Sequence, residues 1–358
     1  MNIEYSKQLK AVRQAIMLTL GIETSCDETS VALLRDGHEI VINLIASQVE
    51  AHQLFGGVVP EIASRKHLEM MNPLLDAALR QSGTSWRDLD LVAVTHGPGL
   101  VGALLVGVAS AKALSLAHQI PCLPVNHVEG HIVSTLLQKP DLRFPMLCLV
   151  VSGGHSDLIL MRGVGDYKRL GRTRDDAVGE AFDKVARALG LPQPGGPNLE
   201  KMAQNGDPKA FGFGVSNLEP SFDFSFSGLK TAGAQATVKH PNRVADIAAS
   251  FQAAAVRQLQ RAVERALIEY SNEDENNTIQ TLGLCGGVAA NGALRAALEE
   301  TANRLGVDFV VPPSILCTDN AAMIAAAGFH RFRQLPPQKR LYSLESLCFE
   351  ALSQLPVA

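Results

Sequence analysis

At 358 residues, with 46% hydrophobic and 19% charged side chains, the sequence has a globular composition and room for about two domains. That balance excludes the intrinsically disordered class. A formal net charge of -4 argues against wholesale binding of a phosphate backbone, while leaving room for a local basic patch or for a partner that helps hold nucleic acid.

In chain order, residues 1–16 read as a loosely attached extension, with Met17 as the natural start and a targeting segment as the alternative. Residues 18–34, LTLGIETSCDETSVALL, then read as a strand, a small polar turn and a second strand. Residues 91–95 form a short apolar strand ending in HGPG, followed by a helix rich in Ala, Val and Leu from about 100 to 117. Another strand edge starts at 121–124, and Asn126 is placed to cap a helix through 128–137. Residues 145–161, PMLCLVVSGGHSDLILM, repeat the layout of the first hairpin. Helical patterns follow at 176–189, 199–205 and 245–270. The run SNEDENN, residues 271–277, reads as a solvent loop before a strand at 279–284, which leads into CGGVAAN and a helix. Residues 307–311 and the following PPSILCTDNAAMIAAAGF repeat the strand–turn–helix theme. Strands alternating with helices after glycine turns indicate an α/β fold, and the two similar hairpins indicate a duplicated β-α core.

The six cysteines, Cys26, Cys122, Cys148, Cys285, Cys317 and Cys348, contain no CxxC pair, so buried reduced thiols are expected rather than a thiolate zinc site. No run of eighteen apolar residues is present, and no membrane association is expected.

His127 and His131 stand four apart in NHVEGH, which on a helix puts both imidazoles on one face. Spacing alone does not decide between a shared metal ion and two unrelated histidines. Glu129 lies two residues after His127, about 200° around a helix, so the pattern is not the HExxH of zinc peptidases. Asp319 in LCTDN is a candidate third ligand, although Asp319 or Thr318 would serve equally as a cap for the alanine-rich helix that follows. Ser152, Gly153, Gly154 and His155 form the turn of the second hairpin, where backbone amides can crowd toward a phosphate or acyl group. Asp183, Gly195, Gly196, Gly286, Gly287 and Asn291 recur in similar strand–turn–helix settings, and together these turns suit a nucleotide cradle. Asp27 and Glu28 would arrange magnesium and water if the chain were an ATP-consuming phosphotransferase, but magnesium prefers oxygen ligands and the histidine pair counts against it. A non-catalytic scaffold is the third reading, disfavoured by the complete set of polar site residues.

GIETSCDETSVAL, THGPGL, VNHVEGH, VSGGHSDL, GEAFDKVARALGL, PGGP, FSFSGLKTA, CGGVAANGALR and LCTDNAAMIA, in this order over about residues 17–330, closely resemble the tRNA adenosine threonylcarbamoyltransferases, a family once misnamed O-sialoglycoprotein endopeptidases. The resemblance implies a two-domain actin/sugar-kinase/heat-shock ATPase superfold. The domains are expected at 17–140 and 141–330, with a C-terminal helix near 340–354 packing back on the first. It implies an acyltransferase that moves the threonylcarbamoyl group of threonylcarbamoyl-AMP to N6 of the adenosine 3′-adjacent to the anticodon, in tRNAs reading codons that start with adenine. It implies one divalent metal ion, iron ahead of zinc, on His127, His131 and Asp319. The donor would lie on Val150, Val151, Ser152, Gly153, Gly154, Asp183, Gly196 and Asn291. Gln193-Pro194 departs from the aromatic residue that often precedes the Pro-Gly-Gly run. No dedicated general base is evident; His155 and Glu28 are the candidates. The resemblance further implies tRNA, a smaller paralogous subunit and an ATPase subunit as partners, a separate synthase supplying the donor, and a cytoplasmic setting. Arg65, Lys66 and Lys112 are candidate phosphate contacts, each with a plain surface role as the alternative.

Overall fold

The computed structural model describes residues 16–53, 55, 57–273 and 278–357. The expected extension before Met17 therefore lies, Ile16 apart, outside the described residues. The chain divides into two units, the first holding the residues up to Pro140 together with Asp319–Val357, the second Asp141–Thr318.

In the first unit, β1 (Leu18–Glu23), β2 (Glu28–Arg35) and β3 (Glu39–Ser47) form an antiparallel meander. On the other side of β1, β4 (Leu91–Gly97) and β5 (Cys122–Asn126) add in parallel, giving the order β3-β2-β1-β4-β5. Parallel neighbours need crossovers, and helices supply them. The crossovers carry α1 (Val49–Gln53), α2 (Pro60–Ser82) and α3 (Val101–His118), and α4 (His127–Gln138) follows β5. Every residue of β1 is buried, because Leu20 and Ile22 join Val31, Leu33, Val92, Val94, Met71 and Leu75 in one core. By length and composition α3 would also fit a membrane span, yet Ala103, Leu104, Val106, Val108 and Ala111 are buried along its contacts with β4 and α2.

The second unit repeats this plan strand for strand. Antiparallel β6 (Met146–Val151), β7 (Ser156–Gly163) and β8 (Asp166–Arg172) are joined in parallel by β9 (Thr281–Cys285) and β10 (Asp308–Val310) on the far side of β6. Its helices are α5 (Val178–Ala188), α6 (Gly195–Ala203), α7 (Ser227–Lys239), α8 (Val244–Glu273), α9 (Gly292–Leu305) and the short α10 (Ser314–Cys317). Alternate residues of β6, Leu147, Leu149 and Val151, enter a core with Leu158, Leu160, Phe182, Val185 and Phe251. The duplicated β-α core is thus literal: one mixed five-stranded sheet per unit, with the same pattern of neighbours.

Three expectations are corrected. The second domain does not run to 330, because α11 (Ala321–Gln334) packs on β1, β4, β2 and α4 and belongs to the first unit. Its row of small residues lets it lie close against that sheet, which is what draws it there. The loop expected at 271–277 begins late, since α8 continues through Glu273; residues 274–277 lie outside the described ones. No helix spans 340–354. Single turns at Pro337–Arg340 and Glu345–Leu347 lead instead into an extended run, in which the Leu352 amide donates to the His96 carbonyl.

Candidate functional site

The first cluster is built at the junction of β5 and α4. Asn126 ends the strand and caps the helix, its side-chain oxygen accepting from the amides of Val128 and Glu129 at 2.8 and 3.2 Å. One turn of α4 then brings His127 and His131 side by side, with ring centroids 4.7 Å apart. Asp319 enters from the residue pair before α11. The cap of that helix is Asn320, whose carboxamide oxygen accepts from the amide of Met323, so the two readings of Asp319 are resolved against the cap. Asp319 Oδ1 lies 3.1 Å from His131 Nε2 and 3.5 Å from His127 Nε2. One nitrogen from each histidine and one carboxylate oxygen lie within 4.8 Å of one another. Bonds of about 2.1 Å to one tetrahedral ion separate its ligands by roughly 3.4 Å, and the two measured separations bracket that figure.

A residue the sequence reading missed organises this cluster. Glu23, wholly buried at the end of β1, places Oε2 3.1 Å from His127 Nδ1, where the Ser25 hydroxyl also sits at 3.1 Å. The Thr95 hydroxyl and the Ser25 amide donate to the same carboxylate. Glu23 thus holds the proton of His127 on Nδ1 and leaves Nε2 turned toward Asp319. Burial works against a charge on His127, but the Asp319 and Glu23 carboxylates win and raise it to about 9. Burial likewise works against ionised Glu23, and attraction to His127 holds its carboxyl below the usual range. His131 has no such partner among the described residues, where its Nδ1 is buried without a hydrogen bond. The signal for Glu23 was present in the sequence, as one acid closing an otherwise apolar LTLGI strand.

Burial sets the protonation of the neighbouring groups. Burial, then the Asp27 carboxylate, pushes the Cys26 thiol up, so it is no nucleophile. Burial, then Asp27 and Asp319, pushes the Glu28 carboxyl up to about 9. Glu129 is buried and engaged by Arg331 at 3.4 Å, which disposes of the peptidase comparison. Of the basic residues singled out, Lys66 pairs with Glu69 at 2.7 Å, Lys112 donates to the Phe349 carbonyl, and Arg65 stands exposed on α2.

The second cluster lies wholly in the second unit. Val150 and Val151 are completely buried at the end of β6, where Val150 stands between Asp157 of β7 and Cys285 of β9. The next residues turn over: Ser152 N donates to the His155 carbonyl at 2.8 Å, while Gly153 and Gly154 face open space where a Cβ would stand. The start of α5 presses onto this turn, since a Cβ on Gly179 would lie 2.5 Å from the Ser152 carbonyl oxygen. Asp183, one turn further along, accepts from the amide of Gly196 at 3.1 Å and so ties α5 to the start of α6. On the other side, a Cβ on Gly286 would meet the Val151 carbonyl oxygen at 2.3 Å, and only glycine permits that approach. Asn291 caps α9 through Leu294 N at 2.9 Å and donates to Gln252 at 2.9 Å, so both ends of its carboxamide brace the protein. Gln252 and Glu200, which takes the amide of Gly292 at 2.7 Å, were not foreseen. The ring of His155 is half-buried, with Nδ1 3.5 Å from the Ser152 hydroxyl.

A family model for tRNA N6-adenosine threonylcarbamoyltransferase, TsaD, matches residues 39–326. Relatives named tRNA N6-adenosine threonylcarbamoyltransferase include one from Carboxydothermus hydrogenoformans, 54% identical over 319 residues and covering 87% of this chain and 92% of its own. One from Symbiobacterium thermophilum is 50% identical over 321 residues, covering 88% and 92%. Among solved structures, full-length HypF superposes with a TM-score of 0.58 at 12% identity, over 88% of this chain and 55% of that one. Component A of the (R)-2-hydroxyglutaryl-CoA dehydratase of Acidaminococcus fermentans gives 0.51 at 15% identity, over 88% and 98%. Likeness at such low identity concerns the fold alone, which is that of the actin/sugar-kinase/heat-shock ATPase proteins.

Proposed function

Because the chain belongs to the tRNA N6-adenosine threonylcarbamoyltransferase family, we propose that His127, His131 and Asp319 hold its metal ion, and that the backbone of Val150–Gly154 with Asp183, Gly196 and Asn291 holds its donor. The protein transfers the threonylcarbamoyl group of threonylcarbamoyl-AMP to N6 of the adenosine 3′-adjacent to the anticodon in tRNAs reading codons that start with adenine, a metal-assisted acyl transfer.

The observation that carries the metal assignment is the convergence of two imidazole nitrogens and one carboxylate oxygen, with Glu23 behind His127. Two histidines and a carboxylate with further positions open form the donor set of non-haem iron(II) sites, and three protein ligands also suit catalytic zinc. Iron is our assignment. When bound, the ion supplies Lewis acidity toward the acyl oxygen, or a fixed anchor for the phosphate and threonine carboxylate of the donor. The exocyclic amine of adenine is a weak nucleophile, its lone pair being shared with the ring, so holding both reactants matters more than a strong base. Among the described residues the Gly153 and Gly154 amides find no acceptor, and they would meet negative charge growing on the donor. His155, beside the Ser152 hydroxyl, and Glu28 are the candidates for the proton leaving N6. The smaller paralogue, the ATPase subunit, a separate donor synthase and a cytoplasmic setting complete the proposal.

The proton on His127 makes the metal assignment testable through pH. Its folded-state value of about 9 lies above the ordinary 6.5. The charged imidazole therefore stabilises the metal-free protein fully below 6.5, and that contribution is lost as pH rises through 9. An incoming divalent ion must displace the second proton, the one on Nε2 that faces Asp319, so its affinity is expected to climb about tenfold per pH unit across this window and level off above it. Competition with a chelator at stepped pH measures this; a flat profile would remove His127 from the ligand set. For the donor, Asp183→Ala unties Gly196 and is expected to raise KM for threonylcarbamoyl-AMP about tenfold with little change in kcat. A change confined to kcat would place Asp183 in the chemistry instead.

A further inference from the structure

The segment from Leu347 to Pro356 runs extended across the first unit, and its contacts follow the alternation of a strand. Leu347, Phe349 and Ala351 turn inward onto the core while Cys348, Glu350 and Leu352 face out. Lys112 on α3 donates to the Phe349 carbonyl and lies over that ring, 4.5 Å from its centroid. Beyond Phe349 the segment binds the turn after β4. Leu352 N donates to the His96 carbonyl at 2.7 Å, and Gly99 N donates to the Ser353 carbonyl at 3.3 Å. The approach is close enough that a Cβ on Gly97 would lie 2.4 Å from the Leu352 carbonyl oxygen. The segment then reaches Asn126, whose Nδ2 donates to the carbonyls of Leu355 and Pro356 at 3.1 and 3.3 Å.

Asn126 is therefore shared. Its oxygen caps α4 at Val128 and Glu129, and its nitrogen is held by the passing segment. A carboxamide has one oxygen and two N–H groups, and the orientation that suits the cap alone leaves the N–H groups to water. Here both ends are fixed, so the rotation of the cap is set from outside the helix. The residue it sets directly is His127.

We propose that residues 347–356 form a strap that positions the histidine pair, acting through Asn126 as a positioning residue on the first turn of α4. The proposal rests on the metal reading above for its consequence, though not for its geometry. With the strap in place the first turn of α4 has one rotation, and both Nε2 atoms meet Asp319. Without it the cap survives, but the turn is no longer held against the end of β4.

Two variants separate the strap from the cap. A stop after Ser353 removes Leu355 and Pro356 while leaving the Phe349, Leu352 and Ser353 contacts. Asn126→Asp keeps a capping oxygen and loses both N–H donors. In the metal-free protein, hydrogen exchange at the Val128, Glu129 and Gly130 amides is expected to speed up about tenfold in either variant, with no further gain when the two are combined. With cobalt(II) as probe, both variants are expected to bind about tenfold more weakly and with an altered visible spectrum, while melting within a few degrees of the parent. Unchanged exchange at those three amides overturns the strap, whatever the metal result. Faster exchange with no cobalt bound even by the parent chain sustains the strap and overturns the metal reading instead.

Discussion

His131→Ala is expected to abolish metal binding and to slow transfer about a thousandfold, a loss of roughly 4 kcal/mol of transition-state stabilisation. It is a cleaner probe than its neighbour. His127 neutralises the wholly buried Glu23, so His127→Ala strands a carboxylate in the core and is expected to cost about 3–5 kcal/mol of stability as well as the metal. The side chain of His131 is equally buried, but its Nδ1 has no partner to strand. Removing it leaves a cavity and relieves an unsatisfied atom, two effects of opposite sign. Metal content after gel filtration, together with single-turnover transfer at saturating donor, measures the effect. A His131→Ala protein that retains its metal and its rate would take the residue out of the site.

The second large effect lies in the packing that delivers Asp319. Helix α11 crosses β1 so closely that a Cβ on Gly21 would stand 2.2 Å from the Ala321 carbonyl oxygen and 3.0 Å from the Ala325 Cβ. Gly21→Val puts three carbons where none fits, against backbone that has no rotamer to change. The helix must lift, at an expected cost of about 3 kcal/mol or more. Because Asp319 and Asn320 lead directly into α11, the lift also carries a ligand away from His127 and His131. Calorimetry is expected to show the melting transition lowered by roughly 10 °C, and metal analysis a protein largely free of its ion. An unchanged transition would mean that the sheet accommodates the side chain, contrary to the close contact described.

The elements most legible in the sequence were those whose cause is local. Both hairpins were readable from apolar runs broken by small polar turns, and Asn126 as a cap from its place before a helical pattern. Asp319 was left open between ligand and cap because both need an oxygen before a helix; the answer depended on Asn320 taking the cap. Glu23 shows locally only as an acid closing an apolar strand; its partner lies 104 positions away, and no local pattern names it. The segment after Pro336 was misread for a related reason. Its hydrogen bonds go to His96, Gly99 and Asn126, so the alternation of Leu347, Phe349 and Ala351 has meaning only against a surface built elsewhere in the chain. Lys112 belongs with it: the sequence offers this cation as a candidate phosphate contact or a plain surface residue, and only the folded chain brings Phe349 to it.

The central claim is the transfer of a preformed threonylcarbamoyl group to tRNA, and a reconstituted reaction tests it most directly. The purified chain, its metal, ATP and its partner subunits would be incubated with unmodified tRNA, with and without synthetic threonylcarbamoyl-AMP, and the digested tRNA analysed by mass spectrometry. The modified nucleoside is expected only when both the donor and this chain are present, on the adenosine 3′-adjacent to the anticodon, and it is expected to vanish with His131→Ala. Equal product without this chain, or none with every component supplied, would contradict the account.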